Sequence, residues 1–504
     1  MNPLKKLAGQ TAIYGLGTIL SRLLNYLLVP FYTHRFIFDS SLLSQSDFGI
    51  ITELYAYVGI LMVMLTYGME TSFFRFAQKE ENRNKVFSLS LLSLIITTSI
   101  FLMTIWFFLT PISQLIGYEN FKILIILLSS ILAIDILTAI PFAYLRMENK
   151  AMRFSGIKFI NVLVNIILNF FLLFVLRYFA ERHADSFLGN LFEADRKVIY
   201  VFISNLLASF TSLILLLSVF KKFRFVWDWQ LLKKMLRYTY PLLIIGLAGM
   251  INDMGDKILL KHLISIPDGM TDVNTYVNNQ LGVYGANFKL AILMTLFVQM
   301  FRYAFEPFFF NMEKEQNAQK VYADVMKYFI AFSLLLFLGV SMYLDIFKYF
   351  IGDSYWAALS IVPVILMAKL FYGIFVNLSL WYKLRELTLY GAVIGIVGAL
   401  ITLVFNMILV PRFGYNGAAW THLSVYVSMV LISYLWGRKY YPVPYELNKI
   451  LLLFAIALLI YSGFVYFKPE TSFYRLTMAT FFIGIYLFSF AWIEKKFILR
   501  IIKK

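Results

Sequence analysis

About twenty apolar residues in a row, closed by charged or turn residues, and then the same again: this pattern recurs along the chain from residue 10 to residue 493. A helix rises about 1.5 Å per residue and the hydrocarbon core of a bilayer is roughly 30 Å thick, so each window matches one crossing. Within lipid every backbone N–H and C=O must find its partner inside the protein, which leaves only helices and closed barrels, and these windows are twice the length of a barrel strand. The windows fall at 10–34, 48–69, 86–109, 121–145, 156–179, 198–220, 238–263, 282–305, 322–344, 356–380, 388–410, 415–437, 447–467 and 473–493. The expected fold is therefore an all-α polytopic membrane protein with fourteen transmembrane helices. Composition agrees: 61% of the 504 residues are hydrophobic and 14% charged, against roughly 25% charged in a soluble domain. The first window is full length and lacks a small-residue cleavage site, so it reads as a retained first helix rather than a signal peptide.

Lysine and arginine orient the helices. With the N-terminus inside, the cytoplasmic segments hold 30 of the 45 basic residues and the outer segments 10. A threefold bias in mostly short loops places both termini in the cytoplasm. The outer loop at 177–197 dissents with four basic residues, nearly balanced by Glu181, Asp185, Glu193 and Asp195. The net charge of +17 follows from this bias and does not point to nucleic acid. The absence of cysteine excludes disulfides, thiolate metal sites and thiol catalysis.

The chain also repeats itself. "FFRFAQKEENRNKVF" (73–87) and "FFFNMEKEQNAQKVY" (308–322) agree at seven of fifteen positions, 235 residues apart. Each follows an even-numbered helix, so helix two corresponds to helix eight. An even displacement keeps orientation, which predicts two parallel six-helix halves related by an axis along the membrane normal. The expected division is an N-lobe at 1–222, a C-lobe at 223–440, and two further helices with a cytoplasmic tail at 441–504. Such an architecture is that of a transporter, with the substrate path between the halves.

Several windows carry charge. Arg22 lies roughly 18 Å along the first helix, near the bilayer centre, where insertion of an arginine costs at least about 2.5 kcal/mol. It is expected to face a polar interior or to pair with a neighbouring helix. Asp135 lies midway along helix four, and Asp253 and Lys257 stand at i, i+4 on helix seven beside Asp256, a spacing that allows local pairing. Asp135 and Asp253 are candidates for Na⁺ or H⁺ coupling. Asn161, Asn165 and Asn169 repeat every four residues on one face of helix five and suit interhelical hydrogen bonds.

Three stretches resemble one family. "NMILVPRFGYNGAAW" (406–420) resembles the helix eleven to twelve junction of the MOP superfamily, which unites multidrug exporters and lipid-linked sugar flippases. It should combine a helix stop at Pro411, a turn at Gly414, and close packing at Gly417, Ala418 and Ala419. "DFGIITELYAYVGILMVMLTYGMETSFFRF" (47–76) and "YLRMENKAMRFSGI" (144–157) resemble the second helix and the helix four to five turn of the polysaccharide transporter branch, which holds the O-antigen and capsule flippases. Lipid II flippases show Ser-Arg-x-x-Gly-x-x-Arg in their first helix. Here Ser21 and Arg22 match, while Asn25 and Leu28 depart, which favours the polysaccharide branch.

The resemblance implies a V-shaped pair of six-helix lobes, no cofactor, and residence in the bacterial inner membrane. It implies translocation of a polyprenyl-pyrophosphate-linked oligosaccharide to the outer leaflet for cell-surface polysaccharide (lipopolysaccharide) biosynthesis, in association with a polysaccharide polymerase. A pyrophosphate crossing hydrocarbon needs compensating cations, which Arg22, Lys369, Lys289 and Arg302 are placed to supply. The alternatives are an ion-coupled multidrug or metabolite antiporter of the same fold, and a membrane glycosyltransferase or polymerase. The enzyme reading lacks support: no phosphate-binding glycine loop or metal-ligand spacing occurs. His183 lies in the dissenting loop, and His34, His262 and His422 fall singly near expected helix ends.

Overall fold

The computed structural model describes residues 19–78, 83–183, 185–312, 315–467 and 469–495. Among these residues the regular elements are all helical. They fall into two compact units, Met1–Lys261 with Gly269–Gly282, and His262–Asp268 with Val283–Lys504.

In the first unit, α1 (19–26) and α2 (Leu28–Thr33) form the described part of the first expected span. They are followed by α3 (Gln45–Thr66), α4 (Met69–Phe76), α5 (Arg83–Phe107), α6 (Leu109–Leu115) and α7 (Lys122–Met147). Next come α8 (Ala151–Asn169), α9 (Leu176–Arg182), α10 (Lys197–Phe220), α11 (Trp229–Leu263) and the first part of α12 (Val273–Leu290). Ser44 and Asp47 cap α3 reciprocally, satisfying two backbone donors at its start. The helix ends where Tyr67 and Gly68 turn left-handed, at φ 36° and 75°. α10 packs on α7 and α8, and α5 on α7. Phe73, Phe87, Ile136, Ile140 and Tyr144 fill the core between them. Met235 of α11 joins that core, so the compact unit extends well beyond residue 222, where the repeat pattern puts the lobe boundary.

The second unit contains α13 (Ile292–Met312), α14 (Ala318–Met342), α15 (Leu344–Phe347), α16 (Ile361–Leu378) and α17 (Leu380–Leu384). α18 (Thr388–Phe413), α19 (Tyr415–Tyr440), α20 (Leu447–Tyr466) and α21 (Ser472–Ile493) complete it. α19 packs on α16 and α18, and α20 and α21 pack on α14. Tyr486 of α21 is anchored by donating to Ala331 O at 2.8 Å. The matched Phe87 and Tyr322 are both core residues of their own units.

Among the described residues eleven helices are long and apolar enough to cross a membrane, or twelve with the pair α12–α13, which bends by 49° at Ala291. The expected fourteen are not reached on this measure for physical reasons. Residues 10–18 of the first expected span lie outside the described residues. The 35-residue α11 carries Arg237, Asp253, Asp256 and Lys257, which lower its hydropathy. α8 begins at Ala151 rather than 156, and its span runs to Arg182 through a π-helical stretch at Phe170–Val175. Pro411 does not stop α18, which continues to Phe413; being close to the C-terminal end, its ring disturbs only the last turns. The break comes at Gly414, φ 56°. A Cβ on Gly417 would lie 2.3 Å from Leu409 O, so only glycine permits the approach there.

Candidate functional site

A polar track runs through the first unit on one face of α8. Asn161 donates to Ser212 Oγ of α10 at 3.1 Å, and Asn165 to Asn25 Oδ1 of α1 at 3.1 Å. Asn169 accepts from Tyr32 OH at 2.8 Å. The four-residue spacing thus joins three helices, since polar side chains in lipid find partners across helix interfaces. Beyond it, the buried Arg177 donates to Ser41 O at 3.0 Å, Ser40 Oγ at 3.0 Å and Glu181 Oε1 at 2.7 Å. This accounts for one basic residue of the dissenting outer loop: it belongs to a helix and is neutralised within the unit.

Asp135 of α7 accepts from Ser209 Oγ at 2.8 Å, and Asn205, one turn away on α10, donates to Tyr55 OH. Lys158 of α8 is within electrostatic range of Asp135, Glu70, Arg146 and Arg22, and its ammonium stands 4.1 Å over the Phe142 ring. Arg22 is exposed on α1, one turn before Asn25, in range of Lys158 and Tyr26. Asp135 and Lys158 thus face one another across α7 and α8, with Arg22 of α1 at the edge of their electrostatic range. Lys158 falls inside the fifth expected window, one turn before Asn161, and was not among the candidate cations.

Asp253 is half-buried on α11 and also in range of Tyr26. Lys257 donates to Asp256 Oδ1 at 3.0 Å and to the main-chain oxygen of Asp253 at 2.9 Å. A further ion pair went unanticipated. Glu53 of α3, fully buried, accepts from Lys261 at 2.7 Å and from Tyr118 OH at 2.5 Å.

In the second unit Lys369 is buried on α16, its ammonium 5.0 Å from the Phe288 ring centre and 5.9 Å from that of Tyr426. His422 lies within α19 rather than near its end, buried and edge-on to the same two rings at 5.4 and 5.1 Å. Lys289 is half-buried beside the α12–α13 bend. Arg302, on α13, lines a groove with Asn377, Lys383, Phe301, Phe305 and Phe309. The structure thus brings Arg22 and Asp135 into one cluster with Lys158. It places Lys369 and Arg302 in different surroundings, one enclosed by aromatics and one in a groove.

Chemically, an exposed guanidinium suits an anion with several oxygens, its planar fork binding two at once, and an ammonium within electrostatic range adds a point charge. Asp135 beside them can offset their charge when no anion is present. Among the described residues no group of three His, Asp or Glu side chains is arranged to hold a metal ion.

Comparison with known proteins adds the relatives. A family model described as "Polysaccharide biosynthesis protein" matches residues 7–313. The search of curated proteins returned no match. The fold is similar to the lipid II flippase MurJ in an inward closed conformation, with a TM-score of 0.71 and 16% identity over 96% of this chain and 99% of that one. It is also similar to an inward-facing multidrug resistance MATE family transporter of the MOP superfamily, with a TM-score of 0.58 and 15% identity over 85% of this chain and 94% of that one. A MATE protein in complex with MaD3S gives 0.53 and 16% over 87% and 96%. At such identities the likeness concerns the fold, while the family match covers more than half of the sequence. The chain belongs to the polysaccharide biosynthesis protein family, is a multi-pass membrane protein, and shares its fold with MurJ and the MATE transporters.

Proposed function

We propose that the protein is a flippase that moves a polyprenyl-pyrophosphate-linked oligosaccharide from the cytoplasmic to the outer leaflet of the bacterial inner membrane by alternating access. Both termini are cytoplasmic in this reading, and the product feeds a surface-polysaccharide polymerase. The observation that carries it is the exposed Arg22 within the first expected span, which no carboxylate pairs with among the described residues and which lies in electrostatic range of Lys158. A cation in a membrane interior is costly unless an anion joins it, and a pyrophosphate is such an anion. Arg302 and Lys289, and more deeply Lys369, supply further positive charge in the second unit. The membrane anchor of the substrate need never leave the lipid.

The test is transport of defined polyprenyl-pyrophosphate sugars in proteoliposomes. Arg22→Ala is expected to lower transport at least tenfold, and Arg22→Lys to restore it in part, because the charge survives without the bidentate fork. Full transport by Arg22→Ala would refute the proposal.

A second reading concerns the driving force. The Asp135–Ser209 contact at 2.8 Å beside Lys158 supports Asp135 as an H⁺ or Na⁺ coupling residue, and Asp253 is the alternative carboxylate. Asp135→Asn should then abolish dependence on the gradient while leaving substrate binding in place; unchanged gradient dependence in both Asn variants excludes these acids.

A further inference from the structure

In the second unit an apolar crevice of about 430 Å³ opens among α13, α14, α15 and α21. Leu293 of α13, Leu335 and Gly339 of α14, Phe347 of α15 and Ile483 of α21 line it, together with Tyr343 at the end of α14. We propose that this crevice is a binding site for an anionic glycerophospholipid, one acyl chain lying in the crevice and the phosphate resting on Arg475 and Lys348. The site stands whatever molecule the protein moves.

The walls select a hydrocarbon chain. The Tyr343 hydroxyl is taken up by Thr480 Oγ1 at 2.6 Å, so the lining offers no free polar side chain. Between apolar surfaces in a membrane the gain comes from close packing, and an unfilled space of this size would forfeit it. The lining runs along α14 from Tyr343 to Leu335, about 12 Å at the helical rise. Half of a bilayer's hydrocarbon core is roughly 15 Å, so the crevice spans most of one leaflet. The exposed Tyr349 and Tyr474 lie just beyond its mouth in sequence, where tyrosine favours the headgroup level. The charge bias assigns that end to the outer side. The methyl-branched tail of a polyprenyl carrier is bulkier than an acyl chain and runs beyond one leaflet.

The mouth selects the headgroup. Asp345 and Lys348 flank Ile346 and Phe347, so the turn that lines the crevice also carries the charges. Asp345 accepts from Lys348 at 3.0 Å and from Arg475 at 2.8 Å, and none of the three side chains is more than 18% exposed. One carboxylate therefore faces two mostly buried cations. Arg475 spends its terminal nitrogens on Asp345, Glu470 O and Ser472 Oγ. Its Nε is buried with no hydrogen-bond partner among the described residues. Lys348 gives Asp345 one of its three donors, and its ammonium stands 4.6 Å over the Trp356 ring. A phosphate diester supplies the missing charge and the missing acceptors together. A zwitterionic head brings a cation of its own, so a net anionic lipid is favoured.

The test is native mass spectrometry of the purified, delipidated full chain. It is titrated with phosphatidylglycerol, with phosphatidylcholine of the same acyl chains, or with undecaprenyl phosphate, and the first binding step is read. Phosphatidylglycerol is expected to bind about fivefold more tightly than phosphatidylcholine. Gly339→Phe places a ring in the crevice, at a position where a Cβ meets nothing within 4 Å. It should abolish this step with unchanged thermal unfolding of the lipid-free protein. Lys348→Gln should weaken phosphatidylglycerol about fivefold and leave phosphatidylcholine as it was. Equal binding of the two phospholipids to the wild type, or wild-type affinity for phosphatidylglycerol in either variant, overturns the site. Displacement of phosphatidylglycerol by an equal concentration of undecaprenyl phosphate would assign the crevice to the carrier lipid and overturn the phospholipid.

Discussion

Removing Lys261 alone from the Glu53–Lys261 pair should destabilise the first unit more than removing both partners. Glu53 has no exposed side-chain surface and Lys261 only 12%. The carboxylate accepts from the ammonium at 2.7 Å and from Tyr118 OH at 2.5 Å, and Lys261 also donates to Ile116 O at 2.9 Å. The ammonium further sits 4.0 Å over the Tyr118 ring. One side chain thus ties α11 to α3 and to the segment after α6. Lys261→Met leaves a buried carboxylate with a single phenol donor, a change that costs about 3–5 kcal/mol in buried pairs. Glu53→Leu leaves Lys261 with its carbonyl and its partial exposure, so about 1–3 kcal/mol is expected.

The double variant removes both charges and replaces them with apolar groups of similar length. Its remaining defect is an unpaired Tyr118 hydroxyl, worth about 1–3 kcal/mol, so it should be more stable than Lys261→Met alone. The assay is unfolding of the purified protein in mixed micelles across an SDS titration, followed by tryptophan fluorescence, for all four members of the cycle. A double variant whose loss equals the sum of the single losses would refute the reasoning, because the coupling term would then be absent.

Other perturbations follow from the same geometry. A Cβ on Gly282 would lie 1.9 Å from Gln45 O, where about 3.3 Å is normal. Gly282→Ala should therefore separate α12 from α3 by about 1.4 Å and lower stability by about 1–3 kcal/mol, read by thermal unfolding and by cross-linking of an introduced cysteine pair in this cysteine-free chain. Asn165→Leu should cost only about 0.6 kcal/mol in the SDS titration, the usual worth of one interhelical hydrogen bond in lipid; a loss several times larger would mean that the polar track acts as one unit. Hydrogen bonding from Lys327 holds the Glu446 carboxyl below its usual range. Its contribution to docking α20 is therefore present above the unfolded carboxylate value and is lost as pH falls through the lower folded one. Glu446→Gln should flatten that acid limb in melting curves taken between pH 3 and 7.

The helices were legible because lipid leaves so little choice: a long apolar window must become a helix, whatever its neighbours do. The asparagine spacing was legible for a similar reason, since three amides on one face need partners on other helices. What escaped the sequence depends on contacts between distant residues. Glu53 and Lys261 are 208 positions apart, and nothing local marks either as paired. Lys158 stands near the start of its apolar window, and nothing local marks that it faces Asp135 of another helix; the window also begins five residues late. Hydropathy cannot see that Ala151–Ser155 are already helical. The α12–α13 bend at Ala291 has no proline to announce it. Pro411 misled in the opposite sense, since near a helix end it is tolerated.

The charges inside this protein divide by company as well as by depth. Glu53 with Lys261, Asp256 with Lys257, and Lys327 with Glu494 at 3.1 Å are each buried and each paired. Such pairs neutralise one another in a low dielectric, and the two that join different helices hold them together without needing anything from outside. Arg22 is different. It is exposed, no carboxylate pairs with it among the described residues, and Lys158, within its electrostatic range, has the same sign. A structural arginine would be expected to look like Arg177, whose guanidinium is used up by Ser40, Ser41 and Glu181. Because Arg22 has little packing to lose, its removal should leave folding nearly intact, and any large effect of Arg22→Ala must then fall on what the exposed face of α1 receives. That asymmetry between stability and transport separates a cation kept for a passing anion from one kept for the fold.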